Sequence, residues 1–195
     1  MADKNKVKYN LKNTHYALLT ANIDGTVSFG TPIAMSGAVS ISLDANGEPE
    51  NFYADGVAYY IINNNMGYDG DLELAIIPES FRVDVLNEEL DVNGVLIENS
   101  AVELAPFALL FEFDGDQKHI RHALYNCSAS RPGIEGKTNE ESREVQTETL
   151  TIKATPLANG MVKAKTGDST SITAYDNWYK AVYMPTVVDE SEVGL

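Results

Sequence analysis

The sequence predicts a mainly β fold, a sandwich or barrel with one short helix and extended loops or arms. Three observations predict it. Seven Asx-Gly pairs punctuate the 195 residues: Asp24-Gly25, Asn46-Gly47, Asp55-Gly56, Asp69-Gly70, Asn93-Gly94, Asp114-Gly115 and Asn159-Gly160. Both residue types tolerate the positive φ that tight hairpin turns require. Several runs between these pairs alternate in polarity with the two-residue period of a strand. One segment, at about 79–88, breaks that pattern and reads as the helix.

Taken in order, residues 1–13 form a basic N-terminal arm carrying Lys4, Lys6, Lys8 and Lys12. His15–Asn22 and Thr26–Gly30 bracket Asp24-Gly25 as a first hairpin. Gly37–Leu43 alternates, with Val39, Ile41 and Leu43 expected inside and Ser40 and Ser42 outside. Residues 44–65 read as a long loop. In Asp71–Ile77, Leu72, Leu74 and Ile76 share one face of a half-buried strand. Pro78 and Glu79 stand where a helix start favours them, and Phe81 and Val85 fall on one helical face. Phe107–Phe113 is apolar at odd and largely at even positions, which is the mark of a central strand covered on both faces. With Lys118–Cys127 it brackets Asp114-Gly115 as a second hairpin. Residues 130–143 are loop-like. Thr147–Thr155 and Met161–Lys165 bracket Asn159-Gly160 as a third hairpin, and a weak helical turn falls near Tyr175–Ala181. Residues 1–185 thus read as one domain without repeats, and 186–195 as a flexible acidic tail.

Composition narrows the function. The formal charge is −15, from 14 bases and 29 acids. Residues 44–116 hold 17 acids and only Arg82 as a base, so the middle of the chain carries the whole excess. That balance excludes a protein that grips nucleic acid or an anionic membrane, since both need clustered Lys and Arg. The acidic middle reads either as a plain solvated surface or as one that attracts unlike regions of other copies. A single cysteine permits no internal disulfide, and neither a signal peptide nor a membrane span is recognisable. The default compartment is the cytoplasm.

Catalytic chemistry is thin. His119 and His122 lie three apart on an expected strand and point to opposite faces, so they do not share a metal. Cys127 reads as a small buried hydrophobe. Asp69/Asp71 and Asp114/Asp116 lack the dense ligand ladder of a calcium loop. No phosphate loop, nucleophile elbow or zinc-protease motif occurs. The expectation is a non-enzyme with no catalytic residue, no metal and no cofactor. Aromatics stand out instead. Phe52, Tyr53, Tyr59, Tyr60 and Tyr68 crowd the 44–65 region and its border, and Tyr175, Trp178, Tyr179 and Tyr183 crowd the C-terminal part. The first group reads equally as a protein-contact surface or as cover for sheet edges, and Trp178 reads as cover for a sheet edge.

Five stretches carry a family resemblance. They are Phe52-Tyr-Ala-Asp-Gly56 with Tyr59-Tyr60; Gly67-Tyr-Asp-Gly-Asp-Leu-Glu-Leu-Ala-Ile-Ile-Pro-Glu-Ser-Phe-Arg82; Phe107-Ala-Leu-Leu-Phe-Glu-Phe-Asp-Gly-Asp116; His122-Ala-Leu-Tyr-Asn-Cys-Ser-Ala-Ser-Arg-Pro132; and, more weakly, Gln146-Thr-Glu-Thr-Leu-Thr-Ile152. They run in order from Phe52 to Ile152, within a likeness that covers about residues 5–185. In them the chain resembles the major tail (tail tube) proteins of siphovirus-type bacteriophages.

The resemblance implies a tail-tube-type β-sandwich or barrel and a structural virion protein, made in the host cytoplasm and located in the phage tail. Six copies would form a ring, and stacked rings a hollow tube through which double-stranded phage DNA passes without specific binding. Its partners would be copies of itself and other tail proteins: tape measure, tail terminator and distal tail. The expected subunit-interface residues are Lys4, Lys6, Lys8, Phe52, Tyr53, Asp55, Tyr59 and Tyr60. The expected lumen-facing residues are Glu73, Glu112 and Glu148. Two alternatives come from neighbouring classes: the inner tube of a contractile injection device, and a β-sandwich carbohydrate-binding or adhesion module. A small hydrolase is disfavoured by the missing nucleophile motif.

Overall fold

The computed structural model describes residues 4–23, 25–138 and 144–185. Asp24, part of the 130–143 loop and the acidic tail at 186–195 lie outside the described residues. The fold is mainly β. Its first strands are β1 (Lys8–Ala21), β2 (Val27–Phe29), β3 (Ile33–Ala34), β4 (Ala38–Asn46), β5 (Glu50–Ala54), β6 (Val57–Ile62) and β7 (Gly67–Leu74). After helix α1 (Glu79–Asp84) come β8 (Glu89–Leu90), β9 (Leu96–Ile97), β10 (Phe107–Gly115), β11 (Ile120–Ala129), β12 (Glu148–Ala154) and β13 (Lys163–Lys165), then helix α2 (Ile172–Asp176).

One antiparallel sheet organises the chain in the order β2-β1-β10-β11-β12-β7-β4, with β13 beside β11 and β3 beside β1. The link from β3 to β4 rolls it up. His15 and Tyr16 of β1 pair with Ala34 and Ile33, and the Met35 amide donates to the Thr14 carbonyl at 2.7 Å. The chain then continues as β4, which pairs with β7 from Ala38↔Leu74 to Asn46↔Gly67. Strand β4 is thereby brought beside β1, and the sheet curls into a barrel that the β3–β4 link closes without a β1–β4 ladder.

Strand alternation fills both sides of the wall. Inside, Phe107, Leu109 and Phe111 of β10 pack with Leu72, Leu74, Leu150 and Ile152. Outside, Ala108 and Leu110 of the same strand pack with Ala17, Ala123, Tyr125, Leu157, Trp178 and Val182. The expectation that β10 is covered on both faces is met, and Trp178, expected as cover for a sheet edge, is part of this outer cluster. Burying each large side chain stabilises the fold by roughly 1.5–3 kcal/mol.

Helix α1 plugs one end of the barrel. Its Phe81 ring meets those of Tyr16 and Phe107 edge-on, at 5.2 and 5.3 Å. It is shorter than the expected 79–88. Pro78 is the N-cap and Val85 the C-cap, and Asn87 then adopts φ 53°, which no helix continues through. Asn87 Nδ2 donates to the Glu103 carbonyl at 2.6 Å and holds that exit. The C-terminal helical turn also moves: α2 begins at Ile172, because the Ser171 side chain accepts from the Ala174 amide and caps it there.

Strand details depart from the sequence pattern for local reasons. A bulge between Ala38 and Ser40 inverts the parity at the start of β4, so Val39 is exposed while Ala38 packs on the interior. Strand β7 ends at Leu74, so Ile76 is 68% exposed and Ile77 takes the inward place. Asp69-Gly70 makes no turn. Gly70 lies within β7 at φ 156°, where an added Cβ would run into the Ser42 carbonyl of β4. Asn159-Gly160 makes its turn but no hairpin, since β12 and β13 pair with different stretches of β11. The 44–65 segment is a ribbon rather than a loop: β5 and β6 pair across an Asp55-Gly56 turn with φ 53° and 77°.

Candidate functional site

The ribbon of β5 and β6 is the most unusual surface of the molecule. Phe52, Tyr53, Val57, Tyr59, Tyr60 and Ile61 are each 54–71% exposed. Phe52 faces Tyr60 across the ribbon, and a bulge beside Tyr53 twists it. Among the described residues β5 pairs only with β6, so both outer edges keep unpaired backbone groups. A lone two-stranded ribbon is marginal in water, and this one exposes apolar side chains as well. Its base is firm: Gly47 at φ 106° lies against the backbone of Asn64 and Met66, and the Met66 amide donates to the Asn46 carbonyl at 2.9 Å. Four expected interface residues (Phe52, Tyr53, Tyr59 and Tyr60) thus sit together on one projection, with Asp55 at its tip.

Lys4, Lys6 and Lys8 are elsewhere, on an arm fastened to its own chain. Asn5 Nδ2 donates to the Lys118 carbonyl at 2.7 Å, and the Lys6 amide donates to Asp116 at 2.7 Å. Asp114 accepts from Asn10 at 2.8 Å and lies 2.5 Å from the Lys12 ammonium and 2.6 Å from His119 Nδ1. The Lys12 and Asn10 contacts hold the Asp114 carboxyl below the ordinary value for aspartate. The arm therefore ends its extended course earlier than the expected residue 13. Strand β1 begins at Lys8, whose ammonium lies over the Phe113 ring. Asp114-Gly115 closes the last positions of β10, and its aspartate anchors the arm instead of shaping the turn.

The three residues expected to supply a lumen-facing subset do not share a face. Glu73 projects outward from β7 and accepts from Ser40 Oγ at 2.8 Å and Thr147 Oγ1 at 2.7 Å, which lowers its carboxyl below the ordinary glutamate value. Around it, Ser42, Asp69, Asp71, Thr149, Thr151 and Lys153 form an uncovered polar wall on β4, β7 and β12. Glu148 belongs to the inward parity of β12. It takes Arg82 Nη2 at 2.8 Å and the Ile77 amide at 2.5 Å at the plugged end of the barrel. Glu112 is 1% exposed and lies under the C-terminal segment. Asn13 Nδ2 donates to it at 2.6 Å, Arg121 Nε at 2.9 Å and Tyr179 OH at 3.2 Å. Burial beside Glu112 pushes the Tyr179 hydroxyl well above the ordinary tyrosine value.

That buried network was missed in the sequence. The one available signal was the even parity of Glu112 with Ala108 and Leu110 on a strand covered on both sides. Arg121 stacks on Tyr175 at 3.8 Å and donates to the Tyr175 carbonyl at 2.5 Å, so it also ties α2 to the sheet. The end of the barrel opposite α1 is open. Lys8, Tyr68, Phe111, Phe113, His122 and Lys163 line a cavity there of about 360 Å³.

Groups for chemistry stay apart. His119 meets Asp114 while His122 stacks on Phe111 at 5.0 Å, and among the described residues no three His, Cys, Asp or Glu side chains form a metal-sized group. Cys127 is fully buried, and burial raises its thiol to about 12. Among the described residues no helix is long and apolar enough to cross a membrane.

No family model and no curated protein matches the chain. Among solved structures, it is similar to the cap that terminates the tube of the anti-feeding prophage, with 10% identity and a TM-score of 0.42, over 85% of this chain and 97% of that chain.

Proposed function

We propose that this chain is a structural subunit of a phage-type tail tube, which assembles through its ribbon and carries out no reaction. The observation that carries the reading is the β5–β6 projection: an apolar, two-edged ribbon that, among the described residues, has no cover or edge partner and would gain both from another chain. The five stretches that resemble tail tube proteins support the same conclusion, and two of them lie on the ribbon and on β7. In this reading copies close into six-membered rings, and the rings stack with other tail proteins as neighbours in a virion. The uncovered wall with Asp69, Asp71 and Glu73 fits a surface that DNA slides past, because carboxylates repel phosphates and recruit no counterion release.

The sugar-binding alternative loses its main aromatic. Trp178 is 2% exposed and stacked on Tyr183 at 5.6 Å, so its face is not free for a ligand. Electron microscopy of the concentrated protein, and of virions from its host, tests the proposal. Rings or tubes of this chain are expected. A protein that remains monomeric under every condition and is absent from virions overturns it.

A further inference from the structure

The open mouth of the barrel is a basic site on a strongly acidic chain. Lys8 and Lys163 stand on its rim, and among the described residues no acidic one lines it. The Lys163 ammonium caps the Tyr68 ring at 4.2 Å and donates to the Tyr68 hydroxyl. Lys8 sits 4.6 Å from the Phe113 centroid. Lys165 pairs in register with His122, adding a third cation. Burial, helped by Lys165, Lys8 and Lys163, lowers His122 to about 4, so near neutral pH the positive charge resides on the ammonium groups and not on the ring. The cavity therefore offers an apolar aromatic floor under a cationic rim. A carboxylate carried on an apolar segment complements it.

The same chain displays such a segment. The ribbon tip is Tyr53-Ala-Asp-Gly-Val57, where Asp55 is the sole charge, and Tyr53, Asp55 and Val57 are all exposed. The tip of a chain therefore does not fill its own mouth. We propose that the open mouth receives the Asp55 tip of the ribbon of a second copy, with the carboxylate between Lys8 and Lys163 and with Tyr53 and Val57 over the aromatic floor. This inference rests on the assembly reading above and names the receptor for the ribbon. A tip buries far less than the roughly 1,200 Å² of a stable interface. Its contribution is register and partner choice, while the ribbon faces and edges supply the bulk of the contact.

Zero-length carbodiimide cross-linking of particles assembled from a mixture of light and ¹⁵N-labelled full-length chains tests the contact directly. Mixed-isotope peptides joining Asp55 to Lys163 or Lys8 are expected. Asp55→Lys, and separately the Lys8→Glu/Lys163→Glu pair, should each slow assembly about tenfold or more, and combining all three should restore much of it. Circular dichroism confirms that each variant is folded. If particles form normally with every charge reversal and Asp55 links only to other lysines, the mouth is not the receptor and the tube reading stands. If the wild-type chain yields no particles and no mixed-isotope links, the tube reading itself falls, and this inference with it.

Discussion

Arg121 Nε donates to the buried Glu112 carboxylate at 2.9 Å, and the same guanidinium lies flat on Tyr175. One side chain thus neutralises a charge inside the fold and clamps α2 onto the sheet. Arg121→Met removes the cation that is hydrogen-bonded to Glu112 and leaves the buried carboxylate without its ion pair. The expected loss is about 3–5 kcal/mol in urea unfolding. Glu112→Gln/Arg121→Met should lose less, since no buried charge is left behind. A double variant at least as damaged as Arg121→Met would contradict this account.

Gly70→Ala should be far more costly than Gly94→Ala. Both positions have positive φ, which costs a substituted residue about 1–2 kcal/mol. Only Gly70 also meets another backbone, the Ser42 carbonyl of β4, and overpacking adds about 1–3 kcal/mol. Thermal unfolding of the two variants side by side gives the comparison. Equal effects would mean that β4 shifts freely away from β7.

Replacing Tyr59 and Tyr60 with Ser should leave the isolated subunit within about 0.5 kcal/mol of its stability, because exposed side chains away from the core contribute little. Assembly should be lost. Sedimentation at high concentration together with urea unfolding separates the two readouts. Rings that survive the double substitution would remove the ribbon from the interface.

The stability of the subunit should fall on acidification between pH 6.5 and about 4. His122 has its ordinary value of 6.5 in the unfolded chain, while burial first, and then Lys165, Lys8 and Lys163, lower it to about 4 in the fold. In that window the unfolded state binds the proton and the folded state does not, so stability is complete above 6.5 and declines below. His122→Phe should flatten this part of the pH profile of Tm. An unchanged slope would assign the acid sensitivity to other groups.

Cys127 should resist thiol reagents in the native protein and react on unfolding. Its sulfur is fully buried and its thiol is raised to about 12 by that burial. The labelling rate in native buffer then reports opening of the barrel. Fast labelling of folded protein would show a mobile β11.

The strands were legible where period and parity stayed unbroken. The two covered faces of Phe107–Phe113 could be read from its apolar even and odd positions. Parity failed where a backbone irregularity intervened: the bulge after Ala38 turned Val39 outward, and the end of β7 at Leu74 exchanged Ile76 for Ile77. Asx-Gly pairs marked turns at Asp55-Gly56 and Asn159-Gly160, but the pair at 69–70 signals close backbone approach instead, which composition alone does not distinguish. The 44–65 segment looked loop-like because its strands bury nothing, and burial is what makes a strand recognisable. The Glu112 network and the basic mouth join residues about 100 positions apart, such as Asn13 with Glu112 and Lys8 with Phe113, and no local pattern encodes those meetings.

The packed barrel carries one more consequence. Phe107, Leu109 and Phe111 fill its axis and Phe81 stops one end, so nothing travels through a single subunit. Any conduit is a gap left between molecules, and its calibre follows from how many copies surround it and how each is tilted. Changes in the core would alter how well a subunit survives, while only changes on its outer surfaces could widen or narrow the bore.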